Sequence, residues 1–329
     1  MSLMKKSNIY FCGDTHGSID LAKLENFFDD HKDKISKNDF MIQLGDFGFI
    51  WKSLDDEKQR VSLEYLASQD ITFCVVLGNH ENYNEIEKLP KIEKFGGKVR
   101  VLKLTAGELY FFERGEIYDI ADQKIFAFGG ALSIDKKHRV LNQSYWKQEL
   151  PTQMEYDNAL NNLEKHNFQV DIVVSHTCPR VLIGNLGFVD AKINDPVTGF
   201  FDHLLIDKKI QFNEWRFGHF HVDRHFRYED KMFQCHYKYI TETFSEDMLI
   251  KIDTKTYFGL SVYDYNGVLG VLMSDIKTLP FFEYWQQSSL GSTCMQIQNA
   301  DQEDTLVYLH DWVNFSKLFI KTDKHRFME

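Results

Sequence analysis

The stretch "IYFCGDTHGS" (residues 9 to 18) runs from an apolar segment straight into a carboxylate and an imidazole, Asp14 and His16, two residues apart. Similar groups recur where other apolar runs end. "LGDFG" delivers Asp46, "LGNHE" delivers Asn79 and His80, "DIVVSH" delivers His176, and "WRFGHFH" delivers His219 and His221. Carboxylate, amide and imidazole donors in this mixture suit Mn, Fe, Zn or Co better than calcium or a thiolate-bound ion. Asn79 and His80 side by side after a buried strand have no packing reason. His219 and His221, on alternate residues of a strand, would point the same way and could grip one ion. Each element alone has a plain reading: D-x-H and GDFG as turns, His176 as a hydrogen-bonded histidine. Together they lie at five strand ends, and in open α/β sheets ligands bind beyond the carboxyl ends of strands.

The segments between these residues must position them. Strand-like "NIYFC" precedes "SIDLAKLENFFDDHK", where Ser18 can cap a helix whose Leu21, Leu24, Phe27 and Phe28 share one face. "DFMIQL", a helical stretch around "EKQRVSLEYLASQ", and "ITFCVVL" follow. This β-α-β-α-β order predicts parallel strands with right-handed crossovers. Residues 98 to 130 read as short strands with little helix between them, which predicts antiparallel additions and a second sheet. Residues 131 to 151 read as a long loop, and Thr152 with Glu155 forms a capping-box signature for the next helix. After "VDIVVS" come a helix around "GFFDHLLID" and strands around "EWRFG", "DRHFRY" and "KMFQCHYKYI". Two units are expected: 1–243 as the catalytic domain, and 244–329 as an appended small domain or sheet extension with strand-like pieces and a mixed helical end.

The chain has 329 residues, 43% of them hydrophobic and 15% aromatic, enough for a sizeable core. A net charge of −11 argues against extensive nucleic-acid binding, which needs a basic face. Five scattered cysteines form no C-x-x-C pair, which fits a reducing, cytoplasmic setting. No apolar run is long enough for a transmembrane helix, and "MSLMKKSN" lacks the apolar stretch of a signal peptide.

The set D-x-H, G-D, G-N-H-E, H and G-H-x-H resembles the calcineurin-like metallophosphoesterase superfamily over roughly residues 8 to 240. "GDFGFIW" and "GGALSIDKKHRVLNQSYWKQELPT" look like segments of its uncharacterised bacterial and phage-type members. The resemblance implies a four-layer α/β/β/α sandwich with mixed sheets, holding two transition-metal ions (Mn, Fe or Zn), to which the tail would add a small C-terminal appendage. Carried over position by position, Asp14, His16 and His221 would hold one ion, Asn79, His176 and His219 the other, and Asp46 would bridge them. A metal-bridging hydroxide would then hydrolyse a phosphomonoester or phosphodiester. His80 would contact the phosphoryl group or protonate the leaving oxygen.

One departure matters. The protein serine/threonine phosphatases of this superfamily carry G-D-x-x-D-R-G, whose Asp orients the catalytic His and whose Arg holds phosphate. Here Phe49 and Ile50 stand in those places, which puts protein phosphatase activity in doubt. Arg139, and after it His138, are the candidate replacements for the phosphate contact, with Trp51 and Tyr145 as candidate pocket walls. His225 and His236 are expected to be structural or exposed, and Cys178 to serve packing. The expected partner is a phosphorylated small molecule. A nuclease or cyclic-phosphodiester hydrolase with the same site is the rival enzyme, and a non-catalytic scaffold the rival from another class.

Overall fold

The computed structural model describes residues 7–188, 194–229 and 231–243, and the backbone of strands between 249 and 308. The strands are β1 (Ile9–Cys12), β2 (Phe40–Leu44), β3 (Thr72–Val76), β4 (Lys91–Lys94), β5 (Gly97–Lys103), β6 (Glu108–Phe112), β7 (Glu116–Ile120), β8 (Gln123–Phe128), β9 (Ile172–Ser175), β10 (Glu214–Phe217), β11 (Arg224–Tyr228), β12 (Lys231–Cys235), β13 (Thr241–Glu242), β14 (Leu249–Tyr257), β15 (Leu260–Tyr265), β16 (Val268–Leu272), β17 (Cys294–Asn299) and β18 (Gln302–Tyr308). The α-helices are α1 (Leu21–His31), α2 (Glu57–Ser68), α3 (Tyr83–Ile86), α4 (Gln153–Lys165) and α5 (Pro196–Asp202).

These strands form two mixed sheets, ordered β13-β1-β2-β3-β6-β5-β4 and β14-β15-β16-β18-β17-β11-β12-β10-β9-β8-β7. The layering follows from the two-residue period of each strand. In β1, Ile9 and Phe11 face the second sheet, where they meet Ile125, Ile172 and Val174 in one apolar cluster. Tyr10 and Cys12 face the other way, against Leu24, Phe27 and Phe28 of α1 and Leu63 and Leu66 of α2. On the outer face of the second sheet, Phe126, Val173 and Trp215 pack on Ala159 and Leu163 of α4 and Val197 and Phe201 of α5. The result is helix, sheet, sheet, helix, and each fully buried Leu, Ile, Val or Phe contributes about 1.5–3 kcal/mol.

β1, β2 and β3 are parallel in register, Phe11 beside Ile42 and Ile42 beside Cys74. β9 and β10 are likewise parallel. All five strands therefore present their carboxyl ends to the same side. The second sheet begins later than the sequence suggests. β6 joins the first sheet parallel to β3, and β5 joins antiparallel to β6, so the chain crosses over only at β7. Ser18 does not cap α1. Asp20 stands at its N-cap and makes no side-chain cap bond, because its carboxylate turns to the His16 ring instead. Beyond residue 243, β14 to β18 continue the second sheet, with β17 parallel to β11. The helical end expected after residue 308 lies outside the described residues. No helix among the described residues is long and apolar enough to cross a membrane.

The capping box of α4 is complete, with Thr152 Oγ1 accepting from the Glu155 N–H and Glu155 accepting from the Thr152 N–H. Thr152→Ala should lower stability by about 0.5–2 kcal/mol in urea unfolding, with metal uptake unchanged. No loss would mean that the cap contributes nothing to this helix.

Candidate metal centre

Asp46 lies at the meeting point of the five strand ends. Its side chain is almost wholly buried. Oδ1 accepts the His80 backbone N–H at 2.7 Å and lies 3.2 Å from His176 Nε2. Oδ2 lies 3.5 Å from His16 Nε2 and 4.0 Å from His80 Nε2. Two groups of donor atoms share this carboxylate: Asp14, His16, Asp46 and His221, and Asp46, His176 and His219, the atoms of each group lying within 4.8 Å of one another. Asp46 is common to both sets. Asn79 joins the second set, its Oδ1 3.0 Å from His176 Nε2. Oxygen and imidazole nitrogen donors without a thiolate fit a transition metal.

The backbone around these donors is unusual. His16, Asp46, His219 and His221 adopt φ of +48°, +50°, +71° and +53°. Non-glycine residues rarely occupy this region, and each such residue costs of order 1–3 kcal/mol that its surroundings must offset. The surroundings do so with hydrogen bonds. The Asp46 carbonyl accepts the N–H groups of Thr15 and His16 at 3.0 and 2.8 Å. Buried Gln43 donates to the Gly45 carbonyl and accepts from the Gly45 N–H. The Asp14 carboxylate accepts the His219 N–H at 2.9 and 3.1 Å. Space is equally limiting: a Cβ on Gly78 would stand 2.2 Å from Asp46 Oδ1, and one on Gly45 2.1 Å from His176 Nδ1.

This geometry corrects one expectation. β10 ends at Phe217, so His219 and His221 lie past the strand. Their left-handed φ values abolish the strand alternation that would aim both at one ion, and the two rings enter different donor groups.

The buried carboxylates and imidazoles shift one another. Burial pulls the His16 and His176 rings down, but Asp46, helped by Asp20 at His16 and by Asp14 at His176, outweighs it and pushes both up to about 9. Burial alone would raise Asp46; the rings of His176 and His16 instead hold it well below the usual carboxylate range. Asp14 is pushed up to about 6 by burial. His219 falls to about 3 through burial and the neighbouring His176.

His80 is half-buried at the edge of this cluster. Arg139 lies against it, with Nη1 3.1 Å from Nδ1 and Nη2 3.1 Å from Nε2. The in-plane lone-pair directions of the two ring nitrogens diverge, so equal distances to both place the guanidinium over the ring. Arg139 also pairs with Asp135 at 2.8 Å and donates to the Ser144 carbonyl, and its side chain is only 17% exposed. His138 is exposed. Trp51 is partly exposed and packs edge-on against buried Trp146, at 5.3 Å between rings. The Tyr145 carbonyl closes a turn within the loop by accepting from Asn142. Phe49 and Ile50 are buried against the α1–α2 side of the first sheet, which leaves no polar side chain there to hold phosphate. His225 and His236 are both buried, as is Cys178.

Several residues around the donors were not singled out from sequence. Asp20 holds His16 Nδ1 at 3.1 Å, a contact that i,i+4 spacing could have suggested. Glu81, the last residue of the GNHE motif, is fully buried and accepts from the N–H groups of Phe47, Gly48 and Gly78, tying the second turn to the third. Tyr237 stacks on His221 at 4.7 Å, and no local sequence signal marks it.

A calcineurin-like phosphoesterase family model matches residues 7–223, which span every one of these donors. The chain belongs to the calcineurin-like phosphoesterase family. No curated protein is a detectable relative of this chain. Among solved structures it is similar to GAP50, the anchor in the inner membrane complex of Plasmodium, at 12% identity, covering 81% of this chain and 80% of that one with a TM-score of 0.39. It is similar to a phosphopantetheinyl hydrolase from Mycobacterium tuberculosis at 13% identity, covering 71% and 90% with a TM-score of 0.34. A putative 5'-nucleotidase from Staphylococcus aureus matches at 14% identity, covering 90% and 62% with a TM-score of 0.42.

The protonated rings give a pH dependence with a definite sign. A histidine raised from 6.5 to about 9 adds stability fully below pH 6.5 and loses it as pH rises through about 9. The chelator-treated chain should therefore lose stability to urea between pH 6.5 and 9. Metal binding must displace the same protons, so calorimetric binding heats should vary with the ionisation enthalpy of the buffer in that window. Flat stability together with buffer-independent heats would contradict the assignment.

Proposed function

We propose that this chain is a dinuclear metal-dependent hydrolase of phosphomonoesters or phosphodiesters. The observation that carries this reading is the sharing of one buried carboxylate, Asp46, by two groups of donors. Asp14, His16 and His221 would hold one ion, Asn79, His176 and His219 the other, with Asp46 between them. Bound there, such a pair supplies a hydroxide nucleophile at neutral pH and positive charge for the phosphoryl oxygens.

The protein's own groups position the rest. Asp20 and the Leu44 carbonyl each take one nitrogen of His16 and His176, leaving the Nε2 atoms to face the centre. Burial pulls His80 down, with Asp46 opposing and Arg139 adding to the effect. A neutral His80 can donate a hydrogen bond to a phosphoryl or leaving oxygen, and this role fits its setting better than that of a charged acid. Arg139 is held over His80 at the site's edge, and its planar fork of donors suits a phosphoryl group. The nearby Lys136, exposed in the same loop, has no such placement.

A metal-reconstituted screen over phosphomonoesters, diesters, nucleotides and phosphopeptides tests the reading. With the best substrate, Asp46→Asn should damage turnover more than His80→Ala, because Asp46 serves both donor groups and His80 acts on one step, typically worth about 10²–10⁴-fold. The opposite ranking would overturn these roles. Arg139→Ala should lower kcat/KM by about 1.5–3 kcal/mol with metal content unchanged, while Lys136→Ala should be nearly silent. Unaltered kinetics in Arg139→Ala would remove Arg139 from the site.

A further inference from the structure

The loop from Ala131 to Pro151 is pinned to the candidate centre far from its exposed tip. At one end the Leu132 N–H donates to the buried carboxylate of Asp195 at 2.9 Å. At the other, Arg114 donates to the carbonyls of Gln148 and Glu149, and also to Tyr83 Oη at 2.9 Å. Tyr83 Oη in turn donates to the Gly78 carbonyl at 2.6 Å. Between these anchors, Ser133 and Glu149 meet below the loop, each about 2% exposed. Glu149 accepts the Ser133 N–H at 3.2 Å on Oε1 and the Ser133 hydroxyl at 2.7 Å on Oε2.

This pairing sets a direction. Burial pushes Glu149 up, both bonds from Ser133 pull it back toward the ionised form, and an ionised carboxylate only accepts. The Ser133 hydroxyl hydrogen is therefore committed to Glu149, and its oxygen can only accept from its other neighbour. That neighbour is Asn79 Nδ2, at 3.1 Å. With Nδ2 fixed on Ser133, the other end of the amide, Oδ1, must face His176 Nε2, as it does at 3.0 Å. Turned over, the amide of Asn79, itself buried, would set its oxygen against an oxygen with no hydrogen to give. A buried donor or acceptor left unmet there would cost about 1–3 kcal/mol.

We propose that Ser133 and Glu149 are positioning residues that lock the Asn79 amide with its oxygen toward the metal centre. This rests on the metal reading above and extends it to residues outside the five donor motifs. Glu149 imposes the polarity, Ser133 transmits it, and the Arg114–Tyr83 arm holds the Gly78 carbonyl so that the turn cannot rotate instead. Asn79 turns its amide oxygen to a donor nitrogen, His176 Nε2, and an amide, unlike a carboxylate or an imidazole held at its far nitrogen, is useless when reversed.

Calorimetric titration of the metal-free full chain with Mn²⁺ tests the relay. The wild type should take up two ions. Ser133→Ala should weaken one of the two by about 10–100-fold, the effect of removing a group that orients a ligand, and leave the other within about two-fold. Ser133→Thr keeps the hydroxyl and should titrate like the wild type. Glu149→Gln should behave like Ser133→Ala: the Ser133 N–H claims the new amide's oxygen, which turns its nitrogen onto the hydroxyl and reverses the relay. If Ser133→Ala does not fold, Ser133→Thr against Glu149→Gln decides on the same readout. Wild-type binding in both Ser133→Ala and Glu149→Gln would overturn the proposal. So would equal weakening of both ions together with a lowered melting temperature, the mark of general loosening. A wild type that takes up fewer than two ions would instead overturn the metal reading, and the relay with it.

Discussion

The centre depends on one carboxylate being held between two sets of donors with no freedom to choose. Asp46 is buried, sits in left-handed backbone, and has one oxygen toward His176 and the other toward His16. None of these conditions is stable alone. A buried carboxylate resists ionisation, and a left-handed aspartate resists its own backbone. They coexist because the Asp46 carbonyl ties the first turn, its carboxylate ties the His80 N–H, and Glu81 ties the following turn from below. The three turns form one hydrogen-bonded body, and the close approach of Gly17 and Gly48, where a Cβ on either would stand less than 3 Å from the other's backbone, seals it.

The rest of the fold serves that body. The parallel strands bring ligand turns from two sheets to one side, and the apolar cluster between the sheets keeps their relative height constant. The loop after β8 then does two separate jobs. Its buried base, Ser133 and Glu149, reaches the Asn79 amide, while its tip carries Arg139 onto His80. The contact to Asn79 and the contact to His80 are thus made by one segment. Its tip is exposed and charged, whereas its base is as buried as the core.

The sequence makes the donors legible because each follows an apolar run by one to four residues, a pattern that survives without knowledge of the fold. The layers are legible from alternation in β1 to β3 and from the spacing of Leu24, Phe27 and Phe28. What is not legible depends on geometry that no spacing records. His219 and His221 look like one face of a strand, yet two left-handed residues send them to different groups. Asp20 looks like an ordinary helix-start residue beside a better cap at Ser18, yet it serves His16. β5 and β6 look like the start of a second sheet, yet sheet membership is decided by a distant partner, β3. Ser133 and Glu149 meet only because the loop between them folds back on itself.

The most direct test of the shared carboxylate is anomalous diffraction from crystals of the chain loaded with Mn²⁺ or Zn²⁺. The account predicts two peaks about 3.5–4 Å apart, each in contact with Asp46, one also touching His16 and His221 and the other His176 and His219. A single peak in fully loaded protein, or two peaks of which only one touches Asp46, would contradict it.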